Sequence, residues 1–178
     1  MQIIQPIRLD DAVGSTRRLL ETINLESGGL NNMLATMAQS PVVLESYLRF
    51  QRMLAAGSLS AELRQRIALT VAQANLCEYS LAHHTALAGR LGLSSEEIHA
   101  ARGRRSGDRK MGAASQFARE LIDRAGGASV VAVREAGATD AEIVEIIAQV
   151  ALNVFENYFN IVAQTDPESS ATPASVAA

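Results

Sequence analysis

Apolar positions recur at helical spacing along most of the chain, and breaker residues cut them into segments. After an extended lead-in, Val13, Leu19, Leu20 and Ile23 predict a helix over about 11–23, closed by Gly28-Gly29. A short helix over 30–38 follows. Ser40-Pro41 reads as an N-cap with proline at the first helical position, and Val42, Val43, Leu44, Leu48, Met53 and Leu54 supply an apolar face as far as Gly57. Ser60 caps the next segment, whose apolar residues are Leu63, Ile67, Leu69 and Val71. Residues 61–91 are helix-compatible throughout, and we place a break at 74–76. Asn75 is a good N-cap, and Glu78 three residues later completes a capping-box-like pattern, which sets Cys77 in the first turn of the second helix.

Ser94 with Glu97 is a fuller capping box opening a short helix through Ile98 to Ala101. Residues 102–110 contain two glycines and no apolar side chain, so they predict a loop. Residues 111–125 are helical again, with Phe117, Leu121 and Ile122 on the apolar side. After Gly126-Gly127, a short element over 130–136 stops at Gly137. Thr139 with Glu142 opens the longest amphipathic run, through Ile143, Ile146, Ile147, Val150, Val154, Phe155, Tyr158 and Ile161. Period-two alternation is almost absent. The expectation is one all-α domain of about seven to nine helices over 1–165, with a disordered tail over 166–178 that carries Pro167, Pro173 and small residues.

Composition narrows the chemistry. Apolar residues are 48% and charged residues 20% of 178, too apolar for a disordered chain. Aromatics are only 4% and there is no Trp, so the core is aliphatic. Sixteen basic against nineteen acidic residues gives −3, which lacks the electrostatic footprint of a nucleic-acid binder. The cluster Arg102, Arg104, Arg105, Arg109 and Lys110 reads as a solvated loop. No secretory signal opens the chain, and the best candidate span, residues 143–162, is interrupted by Glu145, Gln149, Asn153, Glu156 and Asn157. A cytoplasmic protein with no membrane segment is expected. The single cysteine, Cys77, excludes an intramolecular disulfide and suits a reducing cytosol. His83, His84 and His99 beside one cysteine make no zinc set, and there is no Gly-rich phosphate loop or Gly-x-Ser-x-Gly elbow. Met33 and Met37 read as packing. No metal and no cofactor is expected.

Cys77, Ser80 and His84 fall at i, i+3 and i+7, on one helix face. A helix N-terminus favours thiolate, and an imidazole nearby can accept the proton, so this is an arrangement for an activated sulfur nucleophile. The plainer reading is a small core residue, since a buried thiol packs as a hydrophobe.

The run Ala74-Asn75-Leu76-Cys77-Glu78-Tyr79-Ser80-Leu81-Ala82-His83-His84 resembles the signature of the carboxymuconolactone decarboxylase and alkylhydroperoxidase-D (AhpD-like) superfamily. That signature is Cys-x-x-Cys with His four residues after the second Cys and Glu twelve residues before the first. The similarity extends from the Ser40-Pro41 helix to the 153–160 helix. Cys77 matches the first cysteine and His84 the histidine, whereas Ser80 stands for the second cysteine and Gln65 for the glutamate. The resemblance implies an AhpD-like helical fold, closed homo-oligomers such as trimers or hexamers, and, where the motif is complete, a dithiol cycle with Glu and His relaying protons. This chain cannot close that disulfide. Cys-x-x-Ser supports a one-cysteine cycle in which Cys77 becomes a sulfenic acid and an outside thiol resolves it. Gln65 cannot act as a carboxylate base, and Glu62 or Glu78 is a candidate substitute.

Three functions follow. The first is a thiol peroxidase of organic hydroperoxides, with Cys77 as nucleophile, His84 as proton acceptor, Ser80 as hydrogen-bond donor and an external thiol reductant. The second is a decarboxylase-like lyase on a lactone carboxylate, for which Arg64, Arg66 and Arg90 are candidate anion binders. The third is a non-catalytic oligomeric protein in which Ser80 and Gln65 mark a dead site.

Overall fold

A computed structural model describes residues 2–27 and 29–167, so most of the predicted tail lies outside the described residues, as does Gly28. The described residues form nine α-helices and no strand: α1 Gly14–Ser27, α2 Asn32–Met37, α3 Pro41–Ala55, α4 Ala61–Ala74, α5 Glu78–Arg90, α6 Ser95–Arg102, α7 Arg109–Asp123, α8 Val131–Glu135 and α9 Asp140–Ala163. The helical pattern, the punctuation and the absence of alternation therefore led to the right class. The helices fall into two compact units, one of Met1–Phe50 with Phe159–Ala178 and one of Gln51–Tyr158.

In the first unit, α2 is held at its start by Asn31, whose side chain accepts from the Leu34 amide, and Met33 to Met37 are all buried. The lead-in is pinned by Ile3 and Ile4 donating to the Ala163 carbonyl and Ile7 donating to Ala35. Helix α1 begins at Gly14, not near residue 11 as the spacing predicts. Gly14 has φ +60, a left-handed turn that no helix continues through, so Val13 is left outside the helix and 79% exposed. The buried face of α3 also differs from the expected one. Leu44 and Tyr47 are buried while Val42 and Met53 are exposed, because a helix face follows i, i+3 and i+4 rather than every apolar residue.

In the second unit, α4 packs against α5, α6 and α7. Its N-cap is Ser60, which accepts from the Leu63 amide, a bond contributing about 1 kcal/mol. Leu63, Ile67 and Val71 of α4 meet Phe117 and Ala118 of α7, Val133 of α8, and Ile143, Ile146 and Val150 of α9 in one aliphatic core. Such side chains contribute roughly 1.5–3 kcal/mol each when fully buried. Both predicted capping boxes form: Ser94 with Glu97 at α6, and Thr139 with Glu142 at α9, where each residue's amide donates to the other's side chain. The predicted loop over 102–110 is shorter than expected. Arg102 ends α6, and Asp108 accepts from the Met111 amide so that α7 opens at Arg109. A polar sequence without apolar residues hid that cap.

Helix α9 is clamped to the start of α4. The Glu145 carboxylate accepts from the Ser58 amide at 2.8 Å and the Leu59 amide at 3.1 Å. These donors, the Ser58 amide first, hold Glu145 below the usual carboxylate range. Gly57 makes room for the clamp, since a Cβ there would stand 2.5 Å from a Glu145 oxygen. By length and composition α9 could cross a bilayer, but half of that stretch is buried inside the fold. Its first half buries Ile143, Ile146 and Val150, and its second half buries Asn153, Glu156, Asn157 and Asn160.

Candidate functional site

The α4–α5 junction sets the position of the sulfur. The Cys77 amide donates to the Ala72 carbonyl at 3.0 Å and the Leu76 amide to Gln73 at 3.4 Å, closing α4 with a Schellman turn. That turn needs a left-handed residue, here Leu76 at φ 56, in place of the glycine that would avoid a cost of about 1 kcal/mol. Asn75 stays helical at φ −87, ψ −3 as the C-cap of α4. The predicted Asn75 N-cap is thus corrected: an N-cap needs extended backbone, and the α4 closure denies it. Cys77, extended at φ −87, ψ 97, is itself the N-cap of α5 rather than a first-turn residue, and its side chain makes no capping bond.

Freed from capping, the thiol turns into the protein. Cys77 is buried, and its Sγ lies 3.3 Å from Ser80 Oγ. Ser80, 0% exposed, lies 3.4 Å from Glu156 Oε1 on α9. The same oxygen stands 3.3 Å from His84 Nε2, and His84 Nδ1 stands 2.9 Å from Gln65 Oε1 on α4. Three helices therefore bring one thiol, one hydroxyl, one imidazole, one amide and one carboxylate together, and the sequence-predicted Cys77, Ser80, His84 and Gln65 are all among them. The sulfur reaches the imidazole through Ser80 and Glu156.

Glu156 is the residue that sequence reasoning missed. Glu62 pairs instead with Arg66 at 2.9 Å, and Glu78 faces solvent, so neither expected substitute reaches the cluster. A signal was present: Gln149, Asn153, Glu156, Asn157 and Asn160 repeat at helical spacing within the apolar run, which marks a polar stripe rather than scattered interruptions. Asn157, 1% exposed, has no hydrogen-bond partner for either amide atom.

Proton placement follows from the contacts. With Gln65 oriented oxygen-first, Nδ1 carries the hydrogen that this contact needs, and Nε2 lies close to Glu156 Oε1 without a hydrogen bond to it. His83 borders the cluster, edge-on to His84 with ring centroids 5.3 Å apart and stacked on Tyr79 at 6.4 Å.

Two of the three cations proposed for anion binding, Arg64 and Arg66, make contacts elsewhere. Arg66 also reaches Glu97 at 3.7 Å, and Arg64 donates to the Leu59 carbonyl. Among the described residues no group of three or more His, Cys, Asp or Glu side chains is arranged to hold a metal ion.

Residues 41–123 match the model of the carboxymuconolactone decarboxylase family. A search among curated proteins finds no match. Among solved structures, a peroxidase-related protein with an alkylhydroperoxidase AhpD core from Ralstonia eutropha JMP134 is 19% identical with TM-score 0.81, over 94% of this chain and 93% of that one. A peroxidase-related protein from Silicibacter sp. TM1040 is 19% identical with TM-score 0.80, over 96% and 95%. The debrominase Bmp8, as a cysteine-to-alanine variant in complex with 2,3,4-tribromopyrrole, is 19% identical with TM-score 0.79, over 95% and 93%. These likenesses establish an AhpD-like helical fold.

Proposed function

With residues 41–123 matching the model of the carboxymuconolactone decarboxylase family, we propose that the chain is a one-cysteine thiol peroxidase of organic hydroperoxides. The observation that carries this reading is the 3.3 Å contact from Cys77 Sγ to Ser80 Oγ inside a buried polar cluster. An inert core thiol would be surrounded by aliphatic carbon. The thiolate attacks the outer peroxide oxygen, the O–O bond breaks, and the leaving alkoxide takes one proton, so that thiol and hydroperoxide become sulfenic acid and alcohol. An outside thiol then forms a mixed disulfide and releases water, and a second outside thiol restores Cys77. A reducing cytoplasm supplies those thiols.

A lyase acting on a carboxylated lactone fits less well. The cluster holds a carboxylate, and Arg64 and Arg66 are turned to other partners. Exposed Val144, Ile147, Phe155 and Tyr158 on α9 support burial against further copies of this chain in a trimer or hexamer. Sedimentation would show the assembled species.

The test is peroxide consumption with excess dithiothreitol, measured for wild type and Cys77→Ala, with bromide release from tribromopyrrole followed in parallel because of the debrominase likeness. Turnover that depends on Cys77 supports the reading. A wild type no faster than Cys77→Ala on the peroxide sinks it, and bromide release alone would reassign the substrate.

A further inference from the structure

We infer that Glu156 is the carboxylate that receives the Cys77 proton, through Ser80. The inference deepens the proposed thiol chemistry and rests on it. Its basis is a continuous hydrogen-bonded path, Cys77 Sγ to Ser80 Oγ at 3.3 Å and Ser80 Oγ to Glu156 Oε1 at 3.4 Å, with the His84 ring 3.3 Å beyond that carboxylate oxygen. Each member is buried, so bulk water does not compete for the proton at any step.

The transfer balances at every atom. The S–H donates to Ser80 Oγ while the Ser80 O–H donates to Glu156 Oε1. The S–H electron pair stays on sulfur, Ser80 ends with one proton as it began, and the carboxylate gains one. That proton is later consumed by the alkoxide released when the O–O bond breaks. Ser80 is then a conductor, a role that its two contacts allow and that a missing second sulfur does not describe. Gln65 sits on the far side of the ring at 2.9 Å, and its amide can present either its oxygen or its nitrogen to His84. The imidazole is thereby supported whichever nitrogen carries the hydrogen. Glu156 lies outside the segment 41–123 that matches the family model, so the carboxylate comes from α9 and not from α4.

The other titratable groups around the cluster are His83, edge-on to His84, Tyr79 stacked on His83, and Glu78, which faces solvent next to Cys77.

The readout is the rate at which Cys77, the one thiol in the chain, is captured by methyl methanethiosulfonate, followed by mass between pH 5 and pH 9. The thiolate takes the methylthio group and methanesulfinate leaves, so no peroxide turnover is needed. Wild type should be captured readily at pH 7. Glu156→Gln should lower the rate at pH 7 by about a hundredfold, the low end of what proton transfer by a positioned base contributes. Ser80→Ala, which removes the conductor, should lose as much, and the Ser80→Ala, Glu156→Gln double variant no more than either alone, which a purely structural role for Glu156 would not give. If Glu156→Gln does not fold, Glu156→Asp, which withdraws the carboxylate from both partners, carries the same expectation. A variant rate matching wild type within twofold, losses that add in the double variant, or a wild-type thiol that is not captured would each overturn the relay. A relay that stands without peroxide turnover would overturn the peroxidase reading alone.

Discussion

Helices α4 and α9 each contribute to two interiors of opposite character. Their Ile67, Val71, Ile146 and Val150 lie in the aliphatic core, and their Gln65 and Glu156 lie against His84. In the core, any side chain of similar size and shape suffices, because burial is non-directional and scales with area. In the polar cluster each atom is specified by its neighbour, since a buried donor or acceptor without a partner costs about 1–3 kcal/mol. Stability therefore resides chiefly in the first region and chemistry in the second, and substitutions should separate them.

The largest separation is expected from Cys77→Ala. Thiol-dependent peroxide consumption should fall to the rate of buffer, while the thermal midpoint moves little because the two side chains are close in size. A midpoint loss as great as that of a core truncation would erase the distinction. Ile146→Ala should do the reverse. It removes a side chain that is 1% exposed, costing about 3 kcal/mol and lowering Tm by roughly 6–12 °C, with turnover per folded molecule kept. Denaturant titration and calorimetry check this.

Gly57→Ala should cost less, about 1–2 kcal/mol. Its Cβ would push on the Glu145 carboxylate and loosen the clamp between α9 and the start of α4. Loss of stability with no loss from the Glu145→Gln, Gly57→Ala pair beyond that of Glu145→Gln alone would identify the clamp as the cause.

The smallest effect is set by pH. Glu142 is held below the usual carboxylate range by Lys110 at 2.6 Å and then by the Thr139 amide, and Glu145 is held there by the Ser58 amide. A carboxylate whose folded pKa is depressed adds stability above its unfolded pKa and loses it as pH falls through the folded value. Tm should hold above about pH 5, then fall as acid protonates both groups. Glu145→Gln should flatten part of that fall, and an unchanged slope would discount the clamp as an acid-sensitive contact.

What the sequence revealed divides along the same line as the two interiors. Leu63, Ile67, Val71, Ile143, Ile146 and Val150 were legible because aliphatic packing leaves a 3.6-residue period, and Ser60, Ser94 and Thr139 were legible because capping is local. Cys77, Ser80, His84 and Gln65 were found through motif spacing within a short stretch. Glu156 was not, because its partners lie 76 residues away at Ser80 and on another helix at His84, and no local pattern encodes that meeting. The Asn75 cap was misread for a related reason. Its propensity was sound, but the backbone there is governed by Leu76 and Cys77 closing the preceding helix.

Cys77 occupies a helix N-cap without capping it. A hydroxyl at that position could accept from the backbone one turn on, which is a gain of about 0.5–1 kcal/mol over a residue that does not cap. A redesign guided by stability alone would therefore exchange sulfur for oxygen there, and the sturdier protein that resulted would have lost its only thiol.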